Sequence, residues 1–176
     1  MKISYNWLKQ YLELNLSPEK IASILTGIGL EVESIEMKES IPGGLEGFVV
    51  GEVVSCVKHP NAQNLSLTQV NTGTKELLSI VCGAPNVAAG QKVIVATVGA
   101  TIYSADEPFK IKKSKIRGEV SEGMICAEDE LGIGEDHSGI LILESDAKVG
   151  LPARNYFNIE NDYIFEIGLT PIAAFL

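Results

Sequence analysis

Between residues 48 and 143 the chain breaks one short β-forming run after another with turn chemistry, and this rhythm restricts the fold more than any other feature. Phe48 to Val57 is rich in valine, with Gly51 marking a bulge or a point of close backbone approach. His59-Pro60-Asn61-Ala62 reads as a turn, Leu65 to Thr68 alternates, and Asn71-Thr72-Gly73-Thr74 is a hairpin-type turn. Leu77 to Cys82 is the next strand, ended by Gly83-Ala84-Pro85-Asn86, and Val93 to Val98 follows Ala89-Gly90-Gln91. Phe109 to Lys112 alternates again, and Gly139 to Leu143 is a last apolar strand. Five or six short strands over about a hundred residues, with little helix between them, predict a small β-barrel or a sandwich.

The flanks have a different character. Ser4 is placed to cap a helix whose apolar residues Trp7, Leu8, Tyr11 and Leu12 fall at helical spacing. Ser17-Pro18-Glu19 restarts a helix, with a hydroxyl cap, proline at the first position and an acid where the dipole favours it. Ile21, Ile24, Leu25 and Ile28 form its apolar stripe, Gly27 and Gly29 permit the exit, and residues 30–36 alternate as a half-buried strand. A DNA-reading helix-turn-helix is disfavoured because the second helix carries only Lys20 as a cation. Ser40 to Gly44 is a turn, and residues 155–171 return to a mixed apolar and acidic pattern. The expected fold is therefore α+β and mainly β. An oligonucleotide-binding (OB) type barrel over 40–154, which suits the size and strand number, is inserted into a small α/β domain made of 1–39 and 155–176.

Several function classes are excluded by what the sequence lacks. The three cysteines, Cys56, Cys82 and Cys126, form no Cys-x-x-Cys pair, so a disulfide framework and a zinc knuckle are both disfavoured, and a reduced, cytoplasmic setting is the default expectation. No apolar run reaches the ~18–20 residues of a membrane span, and the first residues lack the pattern of a signal peptide. Neither His59 nor His137 sits in a recognisable nucleophilic triad, and there is no phosphate-cradling or dinucleotide glycine motif. No active site is expected, and no metal or cofactor is expected in this chain.

Charge then becomes the question. With 14 Lys and Arg against 23 Asp and Glu, the net charge is −9, the opposite of a protein that wraps phosphates with its whole surface. Phe109 to Gly118 nevertheless holds five cations and no acid in ten residues. If the strand persists, Lys110, Lys112 and Ser114 share one face and Lys113, Lys115 and Arg117 the other. Such an island is either a phosphate-contacting segment or a solvated edge guarded by lysines. Glu128-Asp129-Glu130 with Glu135 and Asp136 reads as a solvated acidic turn.

The motifs carry a resemblance when read together. His59-Pro60-Asn61-Ala62-Gln63-Asn64-Leu65 resembles the His-Pro-x-Ala-x-x-Leu signature that opens a tRNA-binding domain. That domain is shared by methionyl-tRNA synthetase C-terminal regions, free-standing tRNA-binding proteins and bacterial phenylalanyl-tRNA synthetase β chains. Ile80 to Val87 is similar to its central strand and turn, Lys115 to Cys126 to its basic strand followed by Ser-x-Gly-Met, and Glu130-Leu131-Gly132 to its Glu-Leu-Gly. Among these members, Ile3 to Leu8, Leu25 to Glu33 and Phe165 to Pro171 are similar to the synthetase β chains. The resemblance stops after Thr170-Pro171, where Ile172 to Leu176 replaces the family's continuation, as expected for a truncated chain or an aberrant ending.

The resemblance implies an N-terminal module of an enzyme that joins phenylalanine to its tRNA using ATP and magnesium, with synthesis carried out on an α chain. Its implied partners are the phenylalanine tRNA and the α subunit, without DNA or membrane. Carried over by motif, the RNA-contacting positions are Lys113, Lys115, Arg117 and Ser121, with Asn61 and Asn64 at the loop rim. Gly123 and Met124 would shape the turn, and His59 and Pro60 would fix the loop. A scaffold role with little RNA contact is the alternative.

Overall fold

The computed structural model describes residues 1–103 and 107–169, so the motif end at Thr170-Pro171 and the final segment to Leu176 lie outside the described residues. In chain order the strands are β1 (Lys2–Ser4), β2 (Glu31–Lys38), β3 (Phe48–Lys58), β4 (Ser66–Asn71), β5 (Leu78–Cys82), β6 (Lys92–Thr97), β7 (Thr101–Ile102), β8 (Phe109–Lys110), β9 (Ser114–Ile116), β10 (Glu119–Ser121), β11 (Gly123–Ile125), β12 (Ile142–Leu143) and β13 (Asp162–Gly168). The helices are α1 (Tyr5–Leu8), α2 (Pro18–Gly27), α3 (Glu128–Leu131) and α4 (Ala153–Tyr156). The chain divides into two compact units, Met1–Ser40 with Glu160–Leu176, and Ile41–Ile159. No helix among the described residues is long and apolar enough to cross a membrane.

The first unit is a three-stranded antiparallel sheet ordered β1-β13-β2, with the two helices packed on it. Ser4 caps α1 as its position predicts: its Oγ accepts from the Trp7 N–H at 2.9 Å and donates to Asp162 Oδ2 at 2.6 Å. The other carboxylate oxygen accepts from the backbone N–H groups of Asn6 and Tyr163. Burial opposes the charge on Asp162, but these donors outweigh it and hold the carboxyl below its ordinary range. Ser17 caps α2 at Lys20 N–H, and Tyr5, Ile21, Ala22, Phe165 and Ile167 form the core. Tyr5 meets Phe165 and Tyr163 edge-on.

Two expectations fail in this unit. Helix α1 ends after one turn, leaving Trp7, Tyr11 and Leu12 exposed, because Tyr5 is its one fully buried side chain and little offsets the ordering of a longer helix. Only part of the α2 stripe is covered: Ile21 is buried and Leu25 packs on the core, while Ile24 and Ile28 face outward.

The second unit is a coiled antiparallel sheet ordered β11-β6-β3-β4-β5, with β12 also on β6. The long strand β3 pairs with β6 through Phe48–Glu52 and with β4 through Glu52–Lys58. Opposite β6, Val50 exchanges hydrogen bonds with Gly150 N–H and Leu151 C=O, each 2.8 Å, so the early half of β3 is flanked on both edges. At the far end of the sheet, Glu122 N–H donates to Ser79 C=O and the unit closes nearly into a barrel. One core cluster gathers Val53, Val70, Ile80, Val93 and Val95, and a second gathers Phe48, Val50, Ile94, Ala96 and Leu131. Strand β6 feeds both clusters, which is why Val93 to Ala96 is an unbroken apolar run with every residue buried.

Gly51 is the close-approach point, since a Cβ there would lie 2.8 Å from Val95 Cγ2 and 2.9 Å from Val70 Cγ1. The bulge falls later, between Val53 and Ser55. The strand expected over Gly139 to Leu143 is confined to Ile142–Leu143. Before it, the Asn86 side chain both donates to Ile140 C=O and accepts from Ile140 N–H, standing in for a neighbouring strand. Glu128-Asp129-Glu130 forms helix α3 instead of a solvated turn, with Glu130 Oε2 accepting from Ala127 N–H at 2.7 Å.

Gly51→Ala is expected to lower stability by about 1–3 kcal/mol through overpacking between β4 and β6. Urea unfolding measures it, and an unchanged midpoint would show that the barrel relaxes around a methyl group.

Candidate nucleic-acid interface

The basic stretch is not one strand. Phe109–Lys110 pairs with Thr101–Ile102, the chain then leaves the sheet, and Ser114–Ile116 pairs with Glu119–Ser121 as a separate hairpin. The break voids the two-face assignment that continuous alternation predicts for Lys110 to Arg117. The hairpin itself turns at Arg117-Gly118, where both residues have positive φ, 53° and 98°. This is the two-residue geometry that suits the twist of a tight hairpin, and it places Arg117 at the tip.

The hairpin is fixed at its base. Ser121 pairs with Ser114, and just beyond that pair Lys113 Nζ meets Glu122 Oε1 at 2.6 Å. That hydrogen bond holds the Glu122 carboxyl below its ordinary range. Ser121 is buried, and its hydroxyl accepts from Val81 N–H at 3.2 Å and donates to Gly123 C=O at 3.0 Å. It therefore ties the hairpin to β5 with both hydrogen bonds directed inward, while the residue also lines the cleft described below. Lys115 and Arg117 are exposed, and no carboxylate among the described residues lies within ion-pair reach of either, nor of Lys110 or Lys112.

Asn61 and Asn64 are both exposed in the loop between β3 and β4. His59 is buried and shapes that loop, its Nδ1 accepting from Asn61 N–H at 3.1 Å and its backbone N–H donating to Leu65 C=O at 3.0 Å. Gly123 and Met124, expected in a turn, belong to strand β11 beside β6. Gly123 is required there because a Cβ would lie 2.9 Å from Ala96 O.

Separate motifs converge on one cleft of about 620 Å³. The turn after β5, the Phe109–Ile116 segment, the Ser121–Ile125 segment and residues 137–140 line it. Its floor is apolar, with Val81, Ile111, Ile125 and Ile140, and Lys110 and Lys112 are exposed among its lining residues. Phe109 and His137 also line it, and sequence reasoning singles out neither as a site residue. An aromatic beside lysines on an alternating segment is the available signal for Phe109. His137 Nδ1 lies 2.8 Å from Asp129 Oδ2, a hydrogen bond that raises the imidazole above its ordinary value near 6.5. Among the described residues no group of three or more His, Cys, Asp or Glu is placed to hold a metal.

Residues 48–152 match the family model described as "Putative tRNA binding domain". The chain is 57% identical over 174 residues to a protein of Bacteroides fragilis named phenylalanine–tRNA ligase beta subunit, covering 99% of this chain. It is 55% identical over 171 residues to the protein of that name from Porphyromonas gingivalis. It spans 21% of the length of each of these relatives, about a fifth. Among solved structures it is similar to a methionyl-tRNA-synthetase-related protein of Pyrococcus horikoshii, at 22% identity and a TM-score of 0.43, over 59% of this chain and 85% of that one. The C-terminal domain of Plasmodium vivax p43 matches at 22% identity and a TM-score of 0.42, over 58% and 56% of the two chains.

Ser121→Ala leaves the buried Val81 N–H without its partner and is expected to destabilise the second unit by about 1–3 kcal/mol, readable by thermal unfolding. The Asp129–His137 pair makes its full contribution below the imidazole's ordinary value, and that contribution fades as pH rises through the raised one. An NMR titration should therefore show the His137 midpoint falling in Asp129→Asn, and an unmoved midpoint would remove Asp129 as the cause.

Proposed function

The chain belongs to the tRNA-binding-domain family, and from that premise we propose that it is the tRNA-positioning N-terminal module of a phenylalanine–tRNA ligase β chain. In this reading the second unit is an OB-type barrel. Lys115 and Arg117 at the hairpin tip neutralise phosphates of the tRNA, Lys113 does so once released from Glu122, and Asn61 and Asn64 make rim contacts. ATP, magnesium and the joining of phenylalanine to tRNA belong to the α chain of the full enzyme, and this module holds RNA for it.

The observation that carries the reading is the convergence of the 81–85, 109–116 and 121–125 segments on one cleft, beside a hairpin whose Lys115 and Arg117 have no ion-pair partner among the described residues, on a chain of net charge −9. Charge placed at a projecting tip acts within a Debye length of about 8–10 Å, so local cations suffice even when the total is acidic. The basic segment is thus read as a phosphate contact and not merely as a guarded edge. One observation favours the scaffold alternative: Lys113 is held by Glu122 and so contributes less than its charge.

Binding of the phenylalanine tRNA, measured by fluorescence anisotropy across a salt series, separates the two. Lys115→Glu combined with Arg117→Glu should weaken binding at low salt and flatten the slope of log K against log salt by about 2, near one unit per lost phosphate contact. Equal binding by both proteins would take the hairpin out of the mechanism, and absence of binding by the unaltered chain at low salt would leave the scaffold role.

A further inference from the structure

The cleft is more apolar than phosphate contacts require, and Phe109 is the reason to ask what fills it. The Phe109 ring lines the cleft yet is 43% exposed. The strand that carries it is hydrogen-bonded to its neighbours. Phe109 is paired with Ile102, Ile111 N–H donates to Ala100 C=O at 2.8 Å, and Ile111 C=O accepts from Gly99 N–H at 2.9 Å. Lys110 and Lys112, on either side of the buried Ile111, are exposed and also line the cleft. Neither has a carboxylate within ion-pair reach among the described residues.

We propose that this cleft takes one unpaired base of a single-stranded RNA segment, stacked on Phe109, with the adjoining phosphates held by Lys110 and Lys112. The inference rests on the tRNA-binding reading and narrows it to an unstacked part of the RNA. A base in an RNA duplex has both faces covered by its neighbours, so it cannot reach a side chain at the edge of a cleft, whereas a splayed base presents an apolar face to an aromatic ring. Val81, Ile125 and Ile140 offer that base an apolar floor, and a volume of about 620 Å³ admits a nucleoside. An apolar peptide would satisfy the floor but would give Lys110 and Lys112, which have no ion-pair partner among the described residues, nothing to neutralise. Glu130 also lines the cleft, but one of its carboxylate oxygens is engaged by the Ala127 N–H, and the exposed charge there is that of Lys110 and Lys112, which favours a polyanion.

The test uses the chain with a fluorescein-labelled oligouridine of about eight nucleotides, and with a strand of equal length carrying abasic residues. Phe109→Leu keeps the apolar volume and removes the aromatic face. It should bind oligouridine roughly five- to a hundredfold more weakly and the abasic strand unchanged. Phe109→Trp, on a Trp7→Phe background, should restore affinity and show quenched fluorescence when oligouridine is added. If Phe109→Leu binds oligouridine like the unaltered chain, stacking is wrong and the cleft has another occupant, such as an apolar peptide. The tRNA reading would survive that result provided Lys115→Glu with Arg117→Glu still weakens tRNA binding. Equal loss of both strands in Phe109→Leu would also overturn the proposal, because Phe109 would then act through the fold. Failure of the unaltered chain to bind either tRNA or oligouridine at low salt would overturn both readings together.

Discussion

Strand β3 changes partners along its length, and the second unit is organised around that change. Its early half is held between β6 and the Gly150–Leu151 segment, and its late half pairs with β4. A strand can serve both only if the sheet coils tightly where the partners exchange. Gly51 allows this because no Cβ separates β3 from Val95 and Val70, and the irregularity after Val53 adds twist. The coil then brings the last strands of the unit back against β5, where Ser121 and Glu122 fasten the basic hairpin. The cleft therefore depends on backbone geometry some distance from it. Its walls are adjacent because the sheet bends, although their residues are far apart in sequence.

The same fastening separates two kinds of polar residue in the basic region. Lys113, Glu122 and Ser121 lie at the hairpin base and are engaged there by an ion pair and two hydrogen bonds. Lys115 and Arg117 lie beyond them, exposed, with the positive φ of Arg117 turning the chain back. An ion pair between side chains as exposed as Lys113 and Glu122 adds little to stability. Its effect is geometric: it closes the hairpin at the base and leaves the tip charges facing solvent. A protein with net charge −9 can then present a small positive surface without becoming basic overall.

How far the sequence alone reveals this varies with the range of the forces involved. Local signals are reliable. The Ser4 and Ser17 caps and the long β3 run follow from chemistry within a few residues, whereas the connection expected as a turn over Asn71 to Thr74 extends over residues 72–77. The acidic and apolar alternation of residues 30–36 correctly marks β2, although its exposed face is larger than half-burial implies. What fails needs distant partners. The basic segment reads as continuous because Lys and Ile alternate, yet it is interrupted at residues 111–113, since Phe109–Lys110 pairs with Thr101–Ile102 while Ser114–Ile116 pairs with Glu119–Ser121. Strands β1, β7 and β10 are too short to show periodicity and exist through pairing partners elsewhere. In the site, motif spacing identifies the exposed cations but cannot tell the buried hydroxyl of Ser121 from an exposed one, and the one signal for Phe109 is its place beside lysines on an alternating segment.

The order β1-β13-β2 has a consequence for synthesis. The middle strand of the first sheet is made last, and Met1 N–H bonds Ile167 C=O across a separation of 166 residues. As the chain leaves the ribosome, β1 and β2 have no strand between them until the whole barrel sequence has been translated. During that interval their edges are open to wrong pairing, while the barrel, whose strands all pair within residues 41–159, has what it needs to fold. An inserted domain that folds early also brings the two ends of its own segment to fixed positions. That reduces the loop entropy the late strand must overcome to reach its place.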